Sequence, residues 1–314
     1  MAHYLVTGGA GFIGSHLAEE LVRRGETVRV IDNLSTGKRH NIAHLSSVEF
    51  VEGDLADFEA AQRAVQGIDY VLHQAAIPSV PRSIDDPITS NRANIDASLN
   101  ILVAARDAGV KRLVYAGSSS AYGNAATLPK VETMATSPLS PYALQKLVAE
   151  QYCQMFTRLY GLQTVTIRYF NVFGPRQDPS SPYSGVISVF ISALCDGRRP
   201  TIYGDGEHTR DFTYVANVVD GVLRACTADN ASGEVINVAT GGRISLNTLF
   251  TNVRDLVGAK VEPIYADPRA GDVKDSQADI SKARRILGYQ PSVSFEDGLA
   301  KTVEWYRTSQ VTVS

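Results

Sequence analysis

Cysteine is scarce. The three present, Cys153, Cys195 and Cys226, are an odd number without CxxC spacing, so neither a disulfide frame nor a thiolate zinc site organises the chain. Charge of one sign is missing as well. A formal net charge of −3 at pH 7 offers no basic field for nucleic acid, and no block of like charge marks a tail. The six histidines form no HExxH-type pair, which removes the common helical metal-ligand motif; no metal is expected. No long hydrophobic run occurs, and the chain begins at once on a short apolar run and a glycine turn, "HYLVTGG". That start predicts neither a signal peptide nor a membrane span, and the expected location is the cytoplasm. Internal repeats and low-complexity linkers are absent too.

What is present suits a globular enzyme-sized protein. A length of 314 residues with a hydrophobic fraction of 44% allows one large domain or two medium ones with a sizeable core. The first half alternates short apolar runs with helical patterns. "HYLVTG" (3–8), "TVRVID" (27–32), "VEFVEGD" (48–54), "DYVLHQA" (69–75), "RLVYAGS" (112–118) and "QTVTIRYFNVFG" (163–174) read as strands. The longest helical patterns cover 92–109 and 141–161. Strand–helix alternation with continuously apolar strands predicts an α/β fold, a doubly wound parallel sheet covered on both faces. Beyond 175 the pattern breaks into shorter pieces punctuated by Pro and Gly. The expectation is a sheet domain over 1–174, rejoined by part of 211–240, and a smaller α/β substrate lobe over 175–314.

"VTGGAGFIG" sets Gly8, Gly11 and Gly14 between the first strand and the first helix. Glycines there permit a tight turn, approach of a pyrophosphate to backbone N–H groups, and close helix–sheet contact. The second strand ends on Asp32, whose carboxylate can accept from an adenosine ribose hydroxyl and would repel a 2′-phosphate. "DNLSTGK" follows with no arginine directly after the acid, so NAD is expected over NADP. Asp54 and Leu55, at the end of the third strand, would lie beside the adenine.

"LSPYALQK" (139–146) places Tyr142 four residues before Lys146. Ser140 suits a helix cap and Pro141 the first helical position, so phenol and ammonium share one face of a helix start. In a chain with fourteen tyrosines such a pair is weak by itself. Beside a dinucleotide site it gains meaning: an adjacent ammonium favours phenolate, turning tyrosine into a usable proton acceptor. "GSSSAYG" adds Ser118, Ser119 and Ser120 at the strand edge where ligands collect in such sheets.

With these residues in order, the chain resembles the extended short-chain dehydrogenase/reductase superfamily, and within it the UDP-hexose 4-epimerases. The resemblance covers nearly the whole length, through "HQAAIPSVPRSIDDPITSNRANIDASLNILVAARDAGV", "GSSSAYG", "SPYALQK", "RYFNVFGPRQ", "GDGEHTRDFTYV" and "RAGDVKDSQAD". It is nearest to bacterial epimerases of UDP-N-acetylglucosamine. The resemblance implies a Rossmann-like sheet, firmly held NAD, and Ser118, Tyr142 and Lys146 as the catalytic set. It implies reversible inversion at C4 of a UDP-sugar through a 4-keto intermediate, and a homodimer formed by the helices of 92–109 and 141–161. The expected cofactor set extends to Phe12, Ile13, Asn33, Ser35, Gly37, Gln74, Ala75, Ala76, Asn94 and Tyr169.

A UDP-sugar also needs cations for two phosphates and partners for uracil, ribose and sugar. Asn171, Arg210 and Arg269 are the expected phosphate and sugar contacts, since the guanidinium fork suits phosphate oxygens. Asp272 would accept from the uridine ribose, Tyr203 would flank the uracil, and Val186 completes the set with Ser276. The similar epimerases restricted to non-acetylated sugars carry a tyrosine where Ser276 stands, so a serine implies room for a 2-acetamido group. Dehydratases and uronate decarboxylases resemble the same pattern but carry acids where this chain has Ser119 and Ser120. UDP-glucuronate 4-epimerase keeps the same catalytic residues and stays open as an alternative, as does a non-catalytic NAD-dependent sensor.

Overall fold

Apolar runs bounded by turns become the strands β1 (His3–Thr7), β2 (Thr27–Asp32), β3 (Glu49–Glu52), β4 (Tyr70–His73), β5 (Arg112–Ser118) and β6 (Gln163–Tyr169). Short strands follow: β7 (Val172–Phe173), β8 (Thr201–Tyr203), β9 (Thr209–Arg210), β10 (Thr213–Tyr214), β11 (Val235–Val238), β12 (Ile244–Ser245) and β13 (Ile264–Ala266). The computed structural model describes residues 1–178, 185–268 and 274–311. Seven strands make one sheet in the order β11-β6-β5-β4-β1-β2-β3, and every pairing in it is parallel. The chain order reverses between β1 and β4, the place where open α/β sheets bind ligands beyond their strand ends.

Helices α1 (Phe12–Arg23), α2 (Phe58–Ala64), α3 (Val80–Asp85), α4 (Pro87–Asn91), α5 (Ala97–Asp107) and α6 (Pro141–Tyr160) belong to the first half. The second half adds α7 (Val186–Cys195), α8 (Val215–Thr227), α9 (Leu246–Val257), α10 (Ser281–Leu287) and α11 (Phe295–Val311). Alternation along β1 sorts the two faces of the sheet. Val6 joins Leu17 and Leu21 of α1 and Val218 and Val222 of α8. Leu5 joins Ala61 of α2, Ile101 and Ala105 of α5, and Ala149 and Phe156 of α6. Strand β5 is buried along nearly its whole length, as a strand covered on both faces must be. Among the described residues, no helix is long and apolar enough to cross a membrane.

The chain departs from the predicted elements at two places near the ligand edge. The helical run expected at 92–109 starts earlier, because Asp86 accepts from Thr89 N and Pro87 opens α4. A single π-helical turn over Arg92–Asp96 then joins α4 to α5. Strand 163–174 stops at Tyr169: Asn171 takes a positive φ of 34°, which asparagine tolerates better than most residues. The chain restarts as β7, which pairs with β10.

The lobe is built of two-stranded pieces, β7 with β10, β9 with β12 and β8 with β13. Its core is continuous with one side of the sheet: Phe173 meets Phe212, Tyr214 and Phe295, while Phe190 of α7 meets Phe250 of α9 at 6.2 Å between centroids. On the sheet side, Arg168 of β6 donates to Glu150 of α6 at 2.6 and 2.9 Å, with side chains only 3% and 5% exposed. Its guanidinium also lies 4.5 Å from the Tyr122 ring centroid. Removing one partner of such a pair strands a buried charge. Glu150→Ala is expected to cost about 3–5 kcal/mol, measured as a lower urea midpoint, and Glu150→Ala/Arg168→Leu should recover part of that loss.

Candidate active site

The glycine turn is shaped by what it lacks. Gly8 has φ 64°, and a Cβ on it would sit 2.8 Å from the Ala75 backbone. A Cβ on Gly14 would run into the Gly8 carbonyl. Gly11 is the cap of α1 and offers no side chain, so the helix begins with Phe12, Ile13 and Gly14 facing the turn without a side-chain cap. Such a helix start attracts an anion through its N–H groups and dipole.

Asp32 closes β2 with little exposure. It accepts from Ala10 N at 3.0 Å and Leu34 N at 2.9 Å; burial pushes its pKa up while those two donors oppose the rise. Gly37 packs against it, since a Cβ there would lie 2.7 Å from Oδ2. Asn33 and Ser35 are exposed on the same loop, where Asn33 accepts from Ser35 N. Leu55 is buried beyond β3, whereas Asp54 is exposed and accepts from Ala56 N. At the end of β4, Gln74 accepts from the Tyr169 hydroxyl at 2.9 Å, and its Nε2 is buried with no partner. Ala75 and Ala76 follow, half-buried. A side-chain-free glycine edge, a nearly buried carboxylate with acceptor capacity left and an orphaned amide donor together fit a dinucleotide. Asn94 serves this loop from behind: it bonds Ile77 N at 2.8 Å and Gln145 Oε1 at 2.8 Å.

Sequence reasoning missed His73, the buried residue under the same loop. Ser98 donates its proton to Asn94 O at 2.6 Å, so it accepts from His73 Nε2 at 3.0 Å. His73 Nδ1 then accepts from Thr7 Oγ1 at 2.7 Å, and that oxygen accepts from Gln74 N and Ala75 N, both at 3.1 Å. The network assigns one tautomer. Burial keeps the ring neutral, with its pKa pushed down to about 3. The visible signal was a histidine inside an otherwise apolar strand, "DYVLHQA".

The helix start behaves as its sequence predicts. Ser140 accepts from Ala143 N, Pro141 holds the first position, and α6 ends at Gly161 in the left-handed region. Tyr142 N donates to Ser83 Oγ at 3.0 Å, fixing the first turn. The Tyr142 phenol lies beside Ser118, which ends β5 and shares a 2.8 Å bond with Ser120 Oγ. Ser118, Ser119 and Ser120 are all half-buried, and Ser118 caps the short turn Ser119–Tyr122. Lys146 lies one turn along α6, buried, donating to Ala116 O at 2.9 Å and sitting 5.0 Å from the Tyr115 ring centroid. Burial pulls its pKa down to about 8. Tyr142 departs from expectation: burial raises its pKa, opposed by the neighbouring Ser118 hydroxyl. Within the protein alone, the ammonium spends its hydrogen bond on Ala116 and does not bring the phenol below its ordinary value.

On the lobe side, Asp211 gathers the strands, and it too was missed. Its carboxylate accepts from Thr240 N, Thr240 Oγ1, Gly241 N and Ala278 N, and its carbonyl accepts from Asn171 Nδ2 at 3.2 Å. Next to it, Arg210 donates to the carbonyls of Thr209 and Lys274, and Ser276 N donates to Thr209 O at 3.0 Å. Asn171, Arg210 and the buried Ser276 thereby share one neighbourhood. Tyr203 ends β8 and Val186 opens α7, both half-buried on separate elements. Arg269 and Asp272 lie outside the described residues. Among those described, no group of three or more His, Cys, Asp or Glu is placed to hold a metal ion.

Comparison with known proteins agrees with this architecture. The family model of the NAD dependent epimerase/dehydratase family matches residues 4–239. The UDP-glucose 4-epimerase of Mycolicibacterium smegmatis is 40% identical over 308 residues, spanning 96% of this chain and 98% of that protein. A solved UDP-N-acetylglucosamine 4-epimerase from Methanobrevibacter ruminantium, in complex with UDP-N-acetylmuramic acid, matches with a TM-score of 0.94 and 40% identity, covering 98% of this chain and 99% of that one. A Thermus thermophilus UDP-glucose 4-epimerase in complex with NAD matches with a TM-score of 0.89 and 37% identity, over 97% of this chain and 99% of the other.

The buried lysine has a measurable signature. With its folded pKa near 8 and its ordinary value at 10.5, the unfolded chain binds more protons in that interval. Stability contributed by Lys146 must then rise with pH between those limits and fall away toward pH 8. Comparing urea midpoints of wild type and Lys146→Met from pH 8 to 10 should show a steeper rise, or a shallower fall, in the wild type, the difference between the two proteins being the Lys146 contribution.

Proposed function

This chain belongs to the NAD dependent epimerase/dehydratase family, and we propose that it inverts C4 of UDP-N-acetylglucosamine and UDP-N-acetylgalactosamine, and of UDP-glucose and UDP-galactose. It is an NAD-dependent UDP-sugar 4-epimerase; the choice of sugars is the proposal. The observation that carries it is the Tyr142 phenol beside Ser118 at the end of β5, with the buried Lys146 ammonium one turn along α6.

Gly8, Gly11 and the start of α1 would hold the NAD pyrophosphate, Asp32 the adenosine ribose, and Gln74 with Lys146 the nicotinamide end. Bound NAD supplies two-electron oxidation of the sugar carbon and its reversal, so no external redox partner is needed. Tyr142 accepts the proton of the sugar 4-OH and later returns it; Ser118 aligns that hydroxyl with the phenol. Loss of the 6-OH, as in a dehydratase, would require an acid in the same loop, and Ser119 and Ser120 provide none. Arg210, with Arg269 and Asp272, is the proposed diphosphate and ribose clamp of the lobe, and Asn171, Val186 and Tyr203 line the rest. A homodimer through the helices of 92–109 and 141–161 fits the apolar Leu144, Met155 and Leu159 that α6 leaves exposed.

The sugar choice rests on Ser276. It is a small side chain at a buried position beside Arg210, where a tyrosine would remove the volume a 2-acetamido group needs. Steric exclusion penalises only the ligand that requires the space.

Purified enzyme incubated separately with UDP-glucose, UDP-N-acetylglucosamine and UDP-glucuronate should give the C4 epimers of the first two. Turnover of UDP-glucuronate alone would move the assignment to the uronate. Tyr142→Phe should keep the fold and bound NAD while losing on the order of 10²–10⁴ in turnover. Ser276→Tyr should suppress the acetylated pair and largely spare the unacetylated pair; equal loss on all four sugars would remove Ser276 as the gate.

A further inference from the structure

We propose that the ion pair between Lys38 and Asp178 is a latch that sets how long the dinucleotide remains bound. Lys38 Nζ lies 2.5 Å from Asp178 Oδ2, joining the loop after β2 to the segment after β7. The proposal rests on the cofactor site and is independent of which sugar the lobe accepts.

Each side of the pair is anchored to a different part of that site. Lys38 donates its main-chain N–H to Ala10 O at 2.9 Å, and Asn41 Nδ2 donates to the same carbonyl at 2.9 Å. Gly37 rests on the Asp32 carboxylate. The loop 33–38 therefore spans from the ribose carboxylate to the glycine turn, and Asn33, Ser35, Thr36 and Lys38 on it are exposed. The opposite segment is bolted down. Pro175 O accepts from His16 Nε2 at 3.0 Å, a ring that burial keeps neutral with a pKa of about 4. Arg176 donates to Ser15 Oγ at 3.4 Å and to Glu19 Oε2 at 2.6 Å, and Gln177 O accepts from the Tyr306 hydroxyl of α11. Asp178 thus projects from a segment fixed on α1 and α11.

The next basic side chain, Arg39, is occupied elsewhere, because its guanidinium lies 3.6 Å from the centroid of the Phe50 ring. Lys38 is the side chain that carries the tie. The pair is partly exposed, at 45% and 34% of the two side chains, so its effect on release must be modest and sensitive to salt.

The test loads wild type and variants with NADH, chases with excess NAD, and follows loss of bound NADH fluorescence. Lys38→Ala and Asp178→Ala should each release NADH about two- to fivefold faster at low salt, the range an exposed ion pair supports. The variants should converge on wild type at about 1 M salt, where screening is nearly complete. The charge-swapped Lys38→Asp/Asp178→Lys protein should return toward the wild-type rate. If Asp178→Ala leaves release unchanged or slows it, or if the swap stays as fast as the single variants, Lys38 serves the cofactor directly and the latch is overturned. Turnover measured with saturating NAD should stay at the wild-type level in all three, which separates this outcome from any failure of the sugar assignment.

Discussion

The contact on which the ligand edge depends is the close approach of two backbones, the turn after β1 and the loop after β4. Gly8 reaches Ala75 because it has no Cβ, and Thr7 accepts both N–H groups that the loop turns toward it. Thr7 can do so because its own proton is taken by His73, and His73 is orientated by Ser98 and Asn94. Three polar side chains and three main-chain groups are thereby satisfied out of water, which removes a penalty of several kcal/mol that an unpaired set would carry. The loop so fixed presents Gln74 with its amide nitrogen unpaired. Buried networks of this kind are worth most when complete.

Much of the fold was legible because it is local. β-branched runs, glycine turns and helical spacing are short-range patterns, and the six strands and the cap of α6 follow from them at Thr27–Asp32 or Ser140 as they would in isolation. Asp32 and the glycines were legible for the same reason: each acts through backbone geometry that its neighbours in sequence already define. The split of 163–174 was not legible. It arises because Asn171 bonds the Asp211 carbonyl, a partner brought near only by the lobe. His73 and Asp211 were hidden likewise, since their partners lie 25 or more residues away in sequence. The early start of the helical run is carried by "DDP", where Asp86 caps and Pro87 opens α4, a local capping signal that apolar spacing alone does not show.

Burial dominates the electrostatics of Tyr142 and Lys146. It raises the phenol and lowers the ammonium, so desolvation works against the charged form of each, although a lysine with a pKa of about 8 still carries its proton at neutral pH. The desolvation penalty weakens when opposite charges are created together, because the pair attracts in the same low dielectric that penalises each member. Lys146 donates one of its three N–H groups to Ala116 O. Positive charge added beside the phenol would favour phenolate further. An oxidised nicotinamide carries such a charge, and a reduced one does not. Under the proposed mechanism, Tyr142 would then take the sugar proton most readily in the state that can also oxidise the carbon, and would return it in the state that can reduce it.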